Sequence, residues 1–358
     1  MSKVRVVLWG LGAMGGGIGR VLMKKRGVEV VGAIDANPRY EGSDLGAVLE
    51  LGSDLGINVQ AEGEAALKAA EADVCIIATS SFVDEVKPDI LTAVSAGYDV
   101  ITIAEEMAYP KARSPEMAKA INDWAKANGQ TVLGTGINPG FILDTLIIAL
   151  TGACVEVEEI VARRVNDLSP FGPTVMTTQG VGTSPEEFEA GLEAGTIVGH
   201  VGFPESMGLI ADALGWSLDR IEETRAPILS KETRTGEHVT VSPGFVAGCH
   251  HTAIGYMNEK PVIQLEHPQQ IEPQAAGIET GDFIEIKGTP DISMAIQPEI
   301  PGGLGTIALT CNMLPAVMAA ASGLVTMADL PIPRFSVADV RDIVKTLREP
   351  DTQWGDSS

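Results

Sequence analysis

Cysteine is scarce in this sequence, positive charge scarcer still relative to negative, and long apolar runs are missing. Cys75, Cys154, Cys249 and Cys311 are scattered singly, so neither a disulfide framework nor a CxxC metal site is indicated, and the four read as small buried apolar residues. Lys and Arg number 25 against 48 Asp and Glu, a formal charge of −23. Such a chain repels a phosphate backbone, which argues against nucleic acid and anionic membrane surfaces as partners and leaves small molecules. No apolar run approaches the ~20 residues that span a bilayer, and no basic stretch followed by an apolar core and cleavage site opens the chain. The expected compartment is the cytoplasm. Internal repeats are also absent. What is present is 45% apolar and 20% charged residues over 358 positions, the composition of a folded globular protein long enough for two domains.

The first 35 residues, "KVRVVLWGLGAMGGGIGRVLMKKRGVEVVGAID" after Met1 and Ser2, read as a β-branched strand, a glycine turn, a helix to about Arg26 and a second strand from Val28 to Ile34. Gly10, Gly12 and Gly15 form GxGxxG. In a dinucleotide-binding loop the first glycine permits the turn, the second lets backbone approach a pyrophosphate, and the third lets helix pack on strand. Leu11, Ala13 and Met14 complete that loop, whose helix N-terminus would face the phosphates. Asp35, at the end of the second strand, suits the adenosine ribose and favours NAD, whereas Arg39 in "DANPRY" is placed to meet a 2′-phosphate. NAD and NADP therefore both stand as cofactors, and a solvated loop cation is the equal alternative for Arg39.

Helix and strand alternate onward: "GEAALKAAEA", the strand "DVCIIATSS", a helix from about Val83 to Ala96, "GYDVITIAEEM", a helix from Pro115 to Asn128, and "QTVLGTGINPGF". The fold class expected is α/β: a Rossmann-type doubly wound parallel sheet, with a second α+β domain containing a mostly antiparallel sheet. Ligands of open parallel sheets bind beyond the carboxyl ends of the strands. Thr79, Ser80, Glu105, Glu106, Gly136 and Asn138 fall at such ends. The adjacent carboxylates Glu105 and Glu106 thus lie where a nicotinamide would meet its substrate, although acids at a helix N-terminus need no function beyond meeting the dipole.

Beyond Asp144 the texture changes to strand-like stretches broken by Gly/Pro loops and one acidic helix, Pro185 to Ala194. We expect residues 1–144 to form the dinucleotide-binding domain, with 303–349 returning to pack on it. Residues 145–302 are expected to form a substrate and oligomerisation domain, and 350–358 a frayed tail.

Four motifs, "GLGAMGGGIGRVL", "IAEEMAYP", "GTGINPGFILDTL" and "GLVTMADLP", together resemble the 2,4-diaminopentanoate dehydrogenases and their relatives, the native amine dehydrogenases, in an architecture similar to dihydrodipicolinate reductase. The resemblance spans nearly the whole chain. It implies reversible oxidative deamination of a small amine with NAD or NADP, releasing ammonia. For the family's namesake that means conversion of 2,4-diaminopentanoate to 2-amino-4-oxopentanoate. It also implies a homodimer built through the second domain's sheet. Two departures from neighbouring families matter. The HHxxK lysine of dihydrodipicolinate reductases is missing, since His250 and His251 are followed by Thr252, Ala253 and Ile254. The lysine that homoserine dehydrogenases carry after the corresponding strand is replaced by Glu105.

That reversal of charge has a physical meaning. Hydride loss from an amine carbon leaves an iminium, which a carboxylate stabilises and an ammonium would oppose. A glutamate can also accept a proton, provided burial raises its pKa toward working pH. Adjacent side chains of an extended segment point to opposite faces, so one of the two acids is expected to face the site. The family register assigns the catalytic role to Glu105 and a supporting one to Glu106. Asn138 and Phe141 in "GINPGF" are candidates for substrate contact, with Pro139 opening a helix and a plain N-cap as the alternative for Asn138. Arg163 or Arg164 suits a substrate carboxylate, one facing inward, unless it is an ion pair. His200 lies in a Gly-rich loop and is as readily structural. His250 and His251 project to opposite faces of a strand, so no metal site is expected. A dehydrogenase of hydroxy or semialdehyde substrates, and a non-catalytic NAD-binding sensor, remain as alternative functions.

Overall fold

Short β-branched runs at the start of the chain are buried almost completely, and they set the architecture of the first of two units. The computed structural model describes residues 2–349; the tail expected at 350–358 lies outside them. One unit comprises Met1–Phe141 with Gly302–Ser358, the other Ile142–Pro301.

In the first unit the order is β1 (Val4–Trp9), α1 (Ala13–Leu22), β2 (Val28–Ile34), a short α2 (Leu45–Val48), α3 (Gly63–Ala70), β3 (Val74–Ile77), α4 (Val83–Ser95), β4 (Asp99–Thr102), α5 (Pro115–Asn128) and β5 (Thr131–Gly134). The second unit supplies α6 (Thr145–Thr151), β6 (Glu156–Asp167), α7 (Pro173–Thr178), α8 (Pro185–Glu193), α9 (Phe203–Leu214), β7 (Arg220–Leu229), β8 (Arg234–Thr235), β9 (Thr240–Val241), β10 (Val246–Met257), β11 (Lys260–Gln270), β12 (Gly281–Thr289) and β13 (Ile292–Ile296). The chain then returns to the first unit as α10 (Gly302–Ala319), β14 (Gly323–Val325) and α11 (Val340–Arg348).

The first sheet has six strands in the order β14-β5-β4-β3-β1-β2, and every neighbouring pair is parallel. Its central strands are sealed on both faces: all residues of β3 (VCII) and β5 (TVLG) are buried, as a parallel sheet covered by helices requires. Chain order reverses at β1, which pairs with β2 on one side and β3 on the other. By length and composition alone α10 is long and apolar enough to cross a membrane, a feature missed in the sequence because polar residues interrupt it. Its apolar surface has a use within the unit: α10 packs on α1, α11, β4 and β5.

The second unit holds a six-stranded mixed sheet in the order β13-β12-β6-β11-β10-β7, in which β6 and β11 form the parallel pair and the others are antiparallel. The acidic helix α8 begins with a capping box between Ser184 and Glu187. Helices α7 and α9 were not expected. Pro204 near the start of α9 and Gly215, left-handed at its C-cap, are the signals that mark it.

Candidate active site

The glycine loop is built by close backbone approach. Gly10 has φ +92°, and a Cβ there would lie 2.5 Å from the Ala78 carbonyl oxygen at the end of β3; one on Gly15 would lie 1.8 Å from the Gly10 oxygen. Gly12 differs, since a Cβ on it meets nothing within 4 Å. It faces open space at the N-cap of α1, where no side chain caps the helix. A cradle closed behind and open in front, with helix N–H groups at its rim, fits a dinucleotide phosphate. Asp35 is joined to the same loop: its Oδ2 accepts the Leu11 N–H at 2.6 Å and its Oδ1 the Asn37 N–H at 2.8 Å. Each oxygen keeps a second lone pair for a ribose hydroxyl. Arg39 is exposed on the following turn, and its backbone N–H donates to Asn37 Oδ1 at 3.1 Å.

The loop after β3 touches this cradle on one side and the acidic pair on the other. Thr79 N lies 3.2 Å from where a Gly10 Cβ would stand. The Thr79 hydroxyl donates to Asp89 Oδ2 at 3.2 Å, and Ser80 donates to Glu85. Ser80 Oγ accepts the Phe82 N–H at 3.2 Å, so the turn that opens α4 is fixed by its own side chains.

Glu105 and Glu106 do not sit on extended backbone. Residues Glu105–Ala108 form a 3-10 turn directly after β4, which removes the opposite-faces argument, because consecutive residues of a turn diverge by about 120° instead. Gly134 at the end of β5 sets the turn's position: a Cβ there would lie 2.0 Å from the Met107 carbonyl oxygen, and Met107 itself is buried. The two carboxylates have different partners. Glu106 Oε2 accepts the Val83 N–H at 2.8 Å, and the Glu106 N–H donates to the Ser81 carbonyl at 3.2 Å. Glu105 keeps partial exposure, yet the atoms packed around its carboxyl raise its pKa above the ordinary glutamate range. The Ser81 hydroxyl and its own backbone N–H oppose that rise, and the Glu106 charge adds to it.

The remaining candidates are distributed unevenly. Asn138 is half-buried on a turn after β5, and the Ile137 N–H beside it donates to Thr306 Oγ1 of α10 at 3.1 Å. Residues 138–143 form turns and no helix, so Pro139 does not open a helix and Asn138 is not an N-cap; Asp144 caps α6. Phe141 is half-buried in the same turn.

In the second unit Arg164 is 1% exposed and paired with Asp282. The same two side chains engage the backbone of one residue: Arg164 donates to the Ile300 carbonyl at 2.6 Å and Asp282 Oδ2 accepts the Ile300 N–H at 3.1 Å. Arg164 therefore takes the ion-pair alternative, and Arg163 faces the other side, exposed, with its guanidinium 4.9 Å from the Phe283 ring centre. His200 is buried against the rings of Phe203 and His267 at 4.8 and 4.7 Å, and its backbone N–H donates to His251 Nδ1 at 3.1 Å.

Nothing local in the sequence marked the imidazoles around His200. His251 stands opposite both His267 and Arg225 in the sheet, and its Nε2 is 3.0 Å from Glu223. His267 Nε2 is 3.0 Å from Asn166 Oδ1. Burial lowers the pKa of both, that of His267 far below the usual imidazole value, so both are neutral at pH 7. Among the described residues no group of three or more His, Cys, Asp or Glu side chains could hold a metal ion.

Comparison with known proteins adds a second line of observation. Residues 141–346 match the family model described as 2,4-diaminopentanoate dehydrogenase C-terminal domain, and residues 4–95 match dihydrodipicolinate reductase, N-terminus. The chain is 46% identical over 345 residues to the 2,4-diaminopentanoate dehydrogenase of Acetoanaerobium sticklandii, covering 96% of this chain and 98% of that one. It is 27% identical over 311 residues to the amine dehydrogenase of Streptomyces virginiae, covering 82% and 85% of the two chains. Among solved structures, the amine dehydrogenase from Mycobacterium smegmatis superposes with a TM-score of 0.84 at 27% identity, covering 94% of this chain and 98% of the other.

Proposed function

The chain belongs to the 2,4-diaminopentanoate dehydrogenase family, and we propose that it oxidatively deaminates a small primary amine, 2,4-diaminopentanoate first among candidates, to the 4-oxo product and ammonia, reversibly. The observation that carries this reading is the environment of Glu105: a carboxyl beyond the end of a central parallel strand, packed densely enough to raise its pKa, with the Glu106 charge adding to that rise.

NAD or NADP is the cofactor of this proposal. Backbone from Gly10 through Gly15, including Leu11, Ala13 and Met14, would hold the phosphates, Asp35 the ribose, and Thr79 and Ser80 the loop beside them. When bound, the nicotinamide supplies a hydride acceptor. Glu105 does the rest of the chemistry that this unit can do. Its carboxylate removes a proton from the substrate ammonium and passes it to solvent, so that the neutral amine can release hydride and the regenerated negative charge can stabilise the cationic C=N carbon of the substrate. The same oxygen takes a proton from the water that adds to that carbon. A raised pKa suits both transfers, since a base works best near the pH at which it operates. Asn138 and Phe141, on the turn after the neighbouring strand β5, are proposed to contact the substrate. A homodimer through the exposed face of the second unit's sheet, where Phe283, Val161 and Ile254 are only half-buried, and a cytoplasmic location complete the proposal.

The test is a panel of small ketones including 2-amino-4-oxopentanoate, offered with NADH and with NADPH, each with and without ammonium. Cofactor oxidation that requires ammonium is the expected result. Equal rates without ammonium would remove the amine reading and favour a hydroxy-substrate dehydrogenase; no turnover with any ketone would favour a sensor.

A further inference from the structure

Two hydrogen bonds tie the 3-10 turn carrying Glu105 to the start of α4, and Glu106 makes both. Its Oε2 accepts the Val83 N–H at 2.8 Å, and its own N–H donates to the Ser81 carbonyl at 3.2 Å. Val83 is the first residue of α4, and the N-cap residue Phe82 offers no side-chain acceptor. The helix therefore takes its capping oxygen from a residue 23 positions away, in place of the Ser, Thr, Asp or Asn that usually stands at the N-cap. Ser81, one of the two tied residues, also bonds the Glu105 carboxyl through its hydroxyl. On its other flank the turn is fixed by Met107 lying against Gly134.

We propose that Glu106 is a positioning residue, which caps α4 across the fold and so holds the Ser81 loop and the Glu105 turn in one fixed relation. It contributes a hydrogen-bond acceptor and moves no proton. This rests on Glu105 being the base of the deamination proposed above. It follows that Glu106 needs an oxygen that accepts an N–H and has no need of a charge, whereas Glu105 needs a group that titrates.

Three variants of the full chain, assayed for ammonium-dependent ketone reduction and for amine oxidation, separate these roles. Glu106→Ala removes the capping oxygen and is expected to lower turnover by roughly 10- to 100-fold, the scale of an ångström-sized misplacement of a catalytic group. Glu106→Gln keeps a carbonyl oxygen in reach of Val83 and is expected to restore turnover to within about threefold of the parent protein, a difference well under that of a lost base. Glu105→Gln is expected to stay inactive. Val83→Pro tests the tie from the other end by deleting the donor. Proline suits a first helical position, and Phe82, at φ −105° and ψ 140°, has the extended backbone that precedes proline. Adding Val83→Pro to Glu106→Ala is expected to cost little more than either change alone.

Glu106→Gln as inactive as Glu106→Ala, or Glu106→Ala as active as the parent protein, overturns the positioning role. If Glu106→Ala fails to fold, the contrast between the two glutamine variants still decides the matter. Failure of the underlying reading shows differently, as ketone reduction by the parent protein that ignores ammonium.

Discussion

Glu105 in the first unit and the Arg164–Asp282 pair in the second are both ionisable groups crowded by protein atoms, and they are handled in opposite ways. Burial pushes the Asp282 carboxyl upward, but Arg164 lies against it, and the Ile300 backbone bonds both side chains. Glu105 has a hydroxyl, its own N–H and a like charge as company. A matched pair is fixed in one protonation state and serves the structure, while an unmatched carboxylate can trade its proton within the working range of pH. Asp99, at the opposite end of the strand that leads to Glu105, refines the contrast. Burial raises its pKa to about 6, but it lies at the amino end of a parallel sheet, away from where ligands bind. Desolvation becomes chemistry only in the right place.

Breaking the matched pair has the largest expected effect. Asp282→Ala leaves Arg164 buried without its counter-charge and is expected to cost ~3–5 kcal/mol in denaturant unfolding, whereas Arg164→Met with Asp282→Leu recovers most of that loss. Removing the unmatched acid comes next. Glu105→Gln is expected to lower turnover at least ~100-fold with dinucleotide affinity largely kept, measured by steady-state kinetics and cofactor titration. Deamination by the parent protein rises with pH through a value above the ordinary glutamate range, because the deprotonated form is the base and its pKa is raised.

Gly12→Ala tests the cradle beside the acid. The added methyl meets no protein atom within 4 Å, so thermal unfolding without cofactor is expected to match the parent protein while dinucleotide Kd weakens about tenfold or more, through the closer approach that glycine allows.

Asp99→Asn is the smallest change. A folded-state pKa raised to about 6 means that the folded protein prefers the protonated acid. Its contribution is fully present below the unfolded-state value near 4 and is lost as pH rises through 6. Asparagine keeps the oxygen that accepts the Thr131 N–H at 2.7 Å. The variant is expected to gain ~1–2 kcal/mol at pH 8, with allowance for partial exposure, to gain nothing at pH 4, and to turn over normally.

Much of the first unit was legible because its signals are local. β-Branched runs, a glycine turn and an acid closing the second strand are all contiguous, and α5 begins and ends where Pro115 and Asn128 mark it. The placement of Glu105 and Glu106 after β4 followed from strand order alone. Their different partners did not, since these depend on the Val83 N–H of another element and on a 3-10 turn in place of extended chain. The same holds in the second unit. Arg164 and Arg163 look equivalent as a dipeptide, and only Asp282 on a neighbouring strand and Ile300 beyond it distinguish them. His251 and His267 come together by cross-strand register, for which no short motif exists. Helix α9 was obscured by its Gly-rich approach, whose residues read as loop right up to Phe203.

The central claim is that the carboxyl of Glu105, crowded by protein atoms and set beside the Glu106 charge, holds its proton to higher pH than an ordinary glutamate. Carboxyl-labelled glutamate followed by carbon NMR across a pH titration, with Glu105→Gln to assign the signal, measures this directly. The resonance that the variant lacks is predicted to titrate above the ordinary glutamate value of about 4.3. Titration of that resonance at or below the ordinary value would contradict the role assigned to it.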